Sequence, residues 1–103
     1  MVFIETSIFT KHLSQYMKDE EYRLFQLYLM DNTEKGDIVK GSGGVRKIRW
    51  AIKNKGKSGG VRAIYYWKEN AGETWLLTLY AKNEIDSVPA HILKQIAQEI
   101  QND

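Results

Sequence analysis

"VRKIRWAIKNKGKSGGVRAIYYW", residues 45–67, is the stretch whose reading decides the fold. Its first part alternates. Ile48, Trp50 and Ile52 fall on one side of an extended chain, and Lys47 and Arg49 on the other. A period of two marks a strand with one buried face. "KNKGKSGG" (53–60) is glycine-rich and reads as a hairpin loop bearing Lys53, Lys55 and Lys57. "VRAIYYW" (61–67) is a second strand, built from β-branched and aromatic residues. The quoted stretch holds no acid. From residue 38 to 68 the chain carries nine Lys or Arg and no Asp or Glu.

Working outward, "ENAG" (69–72) is a tight turn and "ETWLLTLYA" (73–81) a third strand. Nearly every position of that strand is apolar, so it is expected to be central and covered by helices. "IDSVPAHILKQIAQEI" (85–100) reads as a closing helix. Asp86 or Ser87 is its expected cap, Pro89 falls in its first turn, and Ile92, Ile96 and Ile100 recur every four residues. On the other side, "VFIE" (2–5) reads as a strand and Ser7 as the cap of a helix carrying Phe9, His12, Leu13 and Tyr16. "KDEEYRLFQLYLMDN" (18–32) is a second helix, with three acids in its first turn where they suit the macrodipole. Its stripe is Tyr22, Phe25 and Leu29, widened by Leu24 and Tyr28. "KGDIVKGSGG" (35–44) turns the chain. The predicted order is β-α-α-β-β-β-α. It defines one small α+β domain over residues 1–103, an antiparallel meander packed with an N-terminal helix pair and a C-terminal helix.

Composition excludes several classes of chemistry. With no cysteine, disulfides, thiolate metal sites and cysteine nucleophiles are ruled out. No apolar run approaches the roughly 20 residues a membrane helix needs. "MVFIETSIF" lacks the basic and long apolar regions of a secretion signal, so a cytoplasmic protein with no membrane partner is expected. His12 and His91 have no matching ligand spacing and read as packing or surface residues. No metal site is expected. "GKS" at 56–58 is not a P-loop, because position 51, five residues earlier, is alanine.

Net charge is +2, but its distribution is uneven. Residues 38–68 hold +9, while the remainder holds six basic against thirteen acidic groups, hence −7. A concentrated basic stretch steers polyanions to one face. Lys47 and Arg49 share a strand face, and Arg62, two residues into the next strand, is placed to stand beside them. Like charges so gathered are tolerated when solvated or when an anion joins them. One reading is a phosphate-binding platform; the other is a solvated hairpin kept soluble by lysines. Aromatics are interleaved at Trp50, Tyr65, Tyr66, Trp67 and Tyr80. Alternation assigns Trp50 to the core and sends Tyr65 and Tyr66 to opposite faces, so base stacking is a minor expectation. Glu84, near Lys82, is open to a chemical role or to pairing with that lysine.

Taken together, the opening strand and helix pair, "GSGGVRKIRWA" (41–51), "GKSGGVRAIYYW" (56–67) and "LLTLYAKNE" (76–84) resemble the RelE/HigB superfamily of bacterial type II toxins, in particular a HigB-like branch. The resemblance covers nearly the whole chain. It implies a RelE-like fold and a ribosome-dependent endoribonuclease, an mRNA interferase that cuts mRNA in the ribosomal A site and so inhibits translation. The implied reaction is in-line attack of the 2′-hydroxyl on the adjacent phosphate, with neither metal nor other cofactor. On the matching positions, Lys47, Arg49, Arg62 and Lys82 are the implied catalytic residues. Arg62 is the main clamp on the transition state and Lys47, crowded by cations, the candidate general base. Arg46, Lys53, Lys55, Lys57, Tyr80 and Asn83 are expected to hold RNA or the ribosome. The implied partners are a neutralising antitoxin that itself binds DNA, the small ribosomal subunit with its rRNA, and mRNA. Two departures stand out. RelE-type sites carry an arginine where "YAKNE" has Asn83 after Lys82, and a tyrosine near the last helix where "IDSVPAHIL" has none. Tyr80 is the expected substitute, provided it faces the site. Two other functions fit the same residues: a ParE-like toxin that inhibits a protein such as DNA gyrase, and an RNA-binding module without chemistry.

Overall fold

The computed structural model describes residues 1–52, 60–81 and 88–102. Nine consecutive residues, Gly60–Lys68, form the central strand β4 of a five-stranded sheet. Before it come β1 (Val2–Glu5), α1 (Ser7–Tyr16), α2 (Asp19–Asp31), β2 (Asp37–Ile38) and β3 (Arg46–Ala51). After it come a single 3₁₀ turn (Glu69–Ala71), β5 (Glu73–Ala81) and α3 (Ala90–Gln101). The spatial order is β1-β5-β4-β3-β2. The meander β3-β4-β5 is antiparallel as the sequence predicts, and β1 adds to β5 in parallel, Val2 opposite Glu73 through Glu5 opposite Leu76. The result is a single α+β domain.

The sheet is buried on both faces, and β-alternation sorts the core into two sets. On one face Ile48, Ala63, Tyr65, Leu76 and Leu79 pack with Phe9 of α1 and Phe25 and Leu29 of α2. On the other Val45, Ile64, Tyr66 and Leu77 pack with Leu93, Ala97 and Ile100 of α3. Trp50 joins the first set, its ring 5.4 Å from Phe25 in an edge-on contact. Tyr65 is fully buried there. Its hydroxyl donates to Thr33 O (2.7 Å) and accepts from the Gly36 N–H (3.1 Å). Burial raises its pKa above the ordinary phenol value. Gly36 has to be glycine for this contact, since a Cβ there would stand 2.6 Å from the Tyr65 hydroxyl oxygen.

A β-bulge sets the faces of β5. Tyr65 pairs with Leu76 and Ile64 with Thr78, which leaves Leu77 as the extra residue. In a regular strand Leu76 and Tyr80 share a face and Leu77 and Leu79 share the other. The bulge moves Leu79 to the α1–α2 core and Tyr80 to the α3 side.

Local details differ from the sequence reading at four places. Thr6, not Ser7, caps α1: its hydroxyl accepts from the Phe9 N–H at 3.1 Å and donates to Leu77 O at 2.7 Å. "KGDIVKGSGG" is not only a turn, for Asp37 and Ile38 pair with Lys47 and Arg46 as the edge strand β2. Ser42 then reverses the chain, its buried hydroxyl donating to Val39 O (2.6 Å) and accepting from the Val45 N–H (3.0 Å). Leu24 and Tyr28 are exposed and do not widen the α2 stripe into the core; Tyr28 instead leans on Trp50. In α3 the buried stripe is Leu93, Ala97 and Ile100, while Ile92 is exposed. Pro89 stands at the cap of the described helix. The expected caps Asp86 and Ser87 lie outside the described residues.

Candidate nucleic acid interface

α3 covers only part of its face of the sheet. Beyond Ile64 no described element covers the face, and there the register lines up three residues across three strands. Arg49 of β3 stands opposite Arg62 of β4, and Arg62 stands opposite Tyr80 of β5. Directly opposed residues have Cβ atoms about 5 Å apart. Lys47 is in the next row on the same face, opposite Ile64. The alternation of "VRKIRWAI" and the register of the hairpin thus bring Lys47, Arg49 and Arg62 together. The bulge brings Tyr80 to them.

Lys47 and Arg49 are exposed, and Arg62 and Tyr80 are half-buried. Among the described residues, no side chain hydrogen bonds or pairs with Lys47, Arg49 or Arg62. Two guanidinium groups facing each other across a strand pair repel, and like charges directly opposite are destabilising. Solvent screens that cost, and a bound anion would remove it. One acid borders the row: Asp37 of β2 is the cross-strand partner of Lys47. Sequence reasoning missed this neighbour because two residues of strand are too few to show alternation.

The remaining predicted positions sort plainly. Arg46 points to the other face. Its Nη1 donates to Glu34 O (3.0 Å) and Gly36 O (2.9 Å), so it fastens the loop before β2 and stands apart from the row. Lys53, Lys55, Lys57, Lys82, Asn83 and Glu84 lie outside the described residues. Tyr66 shares the face of Arg62 but is buried under α3. Burial raises its pKa. His91 is exposed, and His12 lines a groove between α1 and α3. Among the described residues no cluster of His, Asp or Glu is arranged to hold a metal ion. No described helix is long and apolar enough to cross a membrane.

The chemistry this row offers is anion recognition. Two forked guanidinium groups and an ammonium converge on a solvent-facing surface, and guanidinium grips two phosphate oxygens at once. The phenol at the end of the row adds a hydrogen-bonding group and an aromatic face. No protein-family model matches the chain.

Proposed function

We propose that the protein is a RelE/HigB-type toxin, a ribosome-dependent endoribonuclease that cuts mRNA in the ribosomal A site. The observation that carries this reading is the convergence of Lys47, Arg49, Arg62 and Tyr80 on a part of the sheet that lies beyond the described residues of α3. It is the surface on which the sequence resemblance locates the reaction. Tyr80 supplies a phenol in the row, where the RelE-type site carries one near its last helix.

In the proposed reaction the ribose 2′-hydroxyl gives up its proton and its oxygen attacks the adjacent phosphorus. The bond from phosphorus to the 5′-oxygen breaks, and that oxygen leaves as a hydroxyl after taking up a proton. The products are a 2′,3′-cyclic phosphate and a free 5′-hydroxyl. Negative charge grows on the phosphoryl oxygens in the transition state. Arg62, backed by Arg49, is assigned to them; a fixed donor of this kind lowers a barrier by about 2 to 4 kcal/mol where water is excluded. Lys47 is assigned the proton of the 2′-hydroxyl. The ribosome would orient the substrate and shut out water, which an open sheet surface does not do alone. An antitoxin would neutralise the activity in the cell.

The test is a reconstituted translation reaction with a defined mRNA, its RNA ends mapped with and without ribosomes. Cuts in A-site codons only when ribosomes are present support the reading. Absence of cleavage from a protein that still arrests growth would overturn it in favour of a protein-poisoning toxin. Binding of free RNA with neither cleavage nor growth arrest would leave an RNA-binding module.

A further inference from the structure

α2 buries Phe25 and Leu29 and leaves a second apolar set in solvent. Leu24, Leu27, Tyr28 and Met30 are each between 38% and 48% exposed. So many large apolar residues on the outside of one 13-residue helix form a patch that calls for an occupant. The patch is ordered. Glu20, Leu24, Leu27 and Asp31 follow at intervals of four, three and four, the seam spacing of helices that pack along one another. The seam runs about 16 Å on the side of α2 away from Phe25 and Leu29. Tyr28 flanks it, its ring braced 5.5 Å from that of Trp50, and Glu21 accepts from Trp50 Nε1 at 3.4 Å. Arg23 and Met30 flank the other side. The charges of the seam are only partly explained by the fold. Glu20 suits the positive end of the helix dipole, but Asp31 stands in the last turn, where a negative charge opposes it. Neither Glu20 nor Asp31 hydrogen bonds or pairs with a side chain among the described residues.

We infer that this face of α2 takes a basic amphipathic helix of a partner protein. Two apolar residues of that helix pack over Leu24 and Leu27, and a Lys or Arg at each end meets Glu20 and Asp31. The acids decide the occupant. α2 carries four acids against one base, Arg23. A second copy is repelled: antiparallel pairing of two α2 helices sets Glu20 against Asp31 at both ends, and parallel pairing sets each acid against its own copy. RNA, an anionic membrane surface and an acidic peptide are repelled by the same charges. Intervals of four, three and four match another helix, not the two-residue repeat of a strand. Tyr28, held by Trp50, is a rigid aromatic anchor at the margin. The seam belongs to the α1–α2 layer, and the cation row to the other side of the sheet, so both can be occupied at once. The docking does not rest on the function proposed above.

The experiment displays a library of single helices, an alanine-rich scaffold randomised along one seam, and selects it on the folded protein. The selected helices are then synthesised and measured by fluorescence anisotropy on the wild type, on Leu24→Gln with Leu27→Gln, and on Glu20→Lys with Asp31→Lys. All four positions are exposed, so both double variants are expected to fold, which circular dichroism checks. The expected consensus is Lys or Arg, two apolar residues, then Lys or Arg at the same intervals. Affinity should fall by about tenfold or more in the leucine variant. The charge-reversed variant should lose the basic helices and bind their Glu-for-Lys counterparts instead. A measurement on the wild type alone repeats the test without any variant: those Glu-for-Lys counterparts should fail to bind it. An acidic consensus, no enrichment, binding that survives the leucine substitutions, or equal binding of a scrambled helix of the same composition would overturn the site. Sedimentation equilibrium is run in parallel. A wild-type dimer that the leucine substitutions dissolve would give the face to a second copy and overturn the proposal. No arm uses RNA, so loss of the cleavage reading and loss of this site are told apart.

Discussion

The α3-side face of the sheet has two ends that share one strand and treat positive charge in opposite ways. Along β4 this face carries Arg62, Ile64, Tyr66 and Lys68 in turn. At the far end Lys68 is buried beneath α3, and its ammonium donates to Ile100 O at 2.7 Å. It satisfies a carbonyl of the last turn, where a cation also suits the helix dipole. At the near end Arg62 faces Arg49, with Lys47 beside them; Asp37 stands across from Lys47, but among the described residues no side chain hydrogen bonds or ion pairs with any of the three. A cation that stabilises the fold is recognisable by its acceptor. Arg46, with two carbonyls, is a second example of that kind. The cations of the row have no side-chain acceptor among the described residues, which is the arrangement expected where the acceptor is a ligand.

Substitutions can break this contrast, beginning at the covered end. Leu93→Ala removes the side chain with which α3 is anchored among Ile64, Tyr66 and Leu77 and should cost about 2 to 5 kcal/mol, read from urea denaturation. Lys68→Met keeps the aliphatic stem but removes the buried ammonium that donates to the Ile100 carbonyl. A loss of about 1 to 3 kcal/mol is expected from the same measurement. At the open end the sign reverses. Arg49→Thr relieves the opposition to Arg62 with a residue suited to strands, and stability should hold or rise by about 0.2 to 1 kcal/mol. A loss of stability there comparable to that of Lys68→Met would mean that the row serves the fold.

The sequence carried much of this. Period-two alternation and the glycine-rich stretch at 53–60 were enough to define the meander, and the same alternation placed Lys47 and Arg49 together on the face away from Trp50. Three features were not legible. The pairing of Arg49 with Arg62 depends on hairpin register, which alternation alone does not fix. The face of Tyr80 depends on a bulge at Leu77, and a run of apolar residues gives no sign of where a bulge falls. Alternation sets Arg46 on the face away from Lys47 and Arg49, but nothing in "GVRKIRW" shows that the loop at 34–36 folds back to supply its acceptors. Composition measured how much charge was gathered. Alternation, register and the acceptors together separated the cations that hold the fold from those with no side-chain acceptor among the described residues.

The most direct test of the central claim compares wild type with Arg62→Ala in the reconstituted translation reaction, with urea denaturation run in parallel. The account predicts that cleavage falls by about a hundredfold or more while stability is unchanged within about 0.5 kcal/mol. Full cleavage by a folded Arg62→Ala protein would contradict it, and the open row would then not be the seat of the reaction.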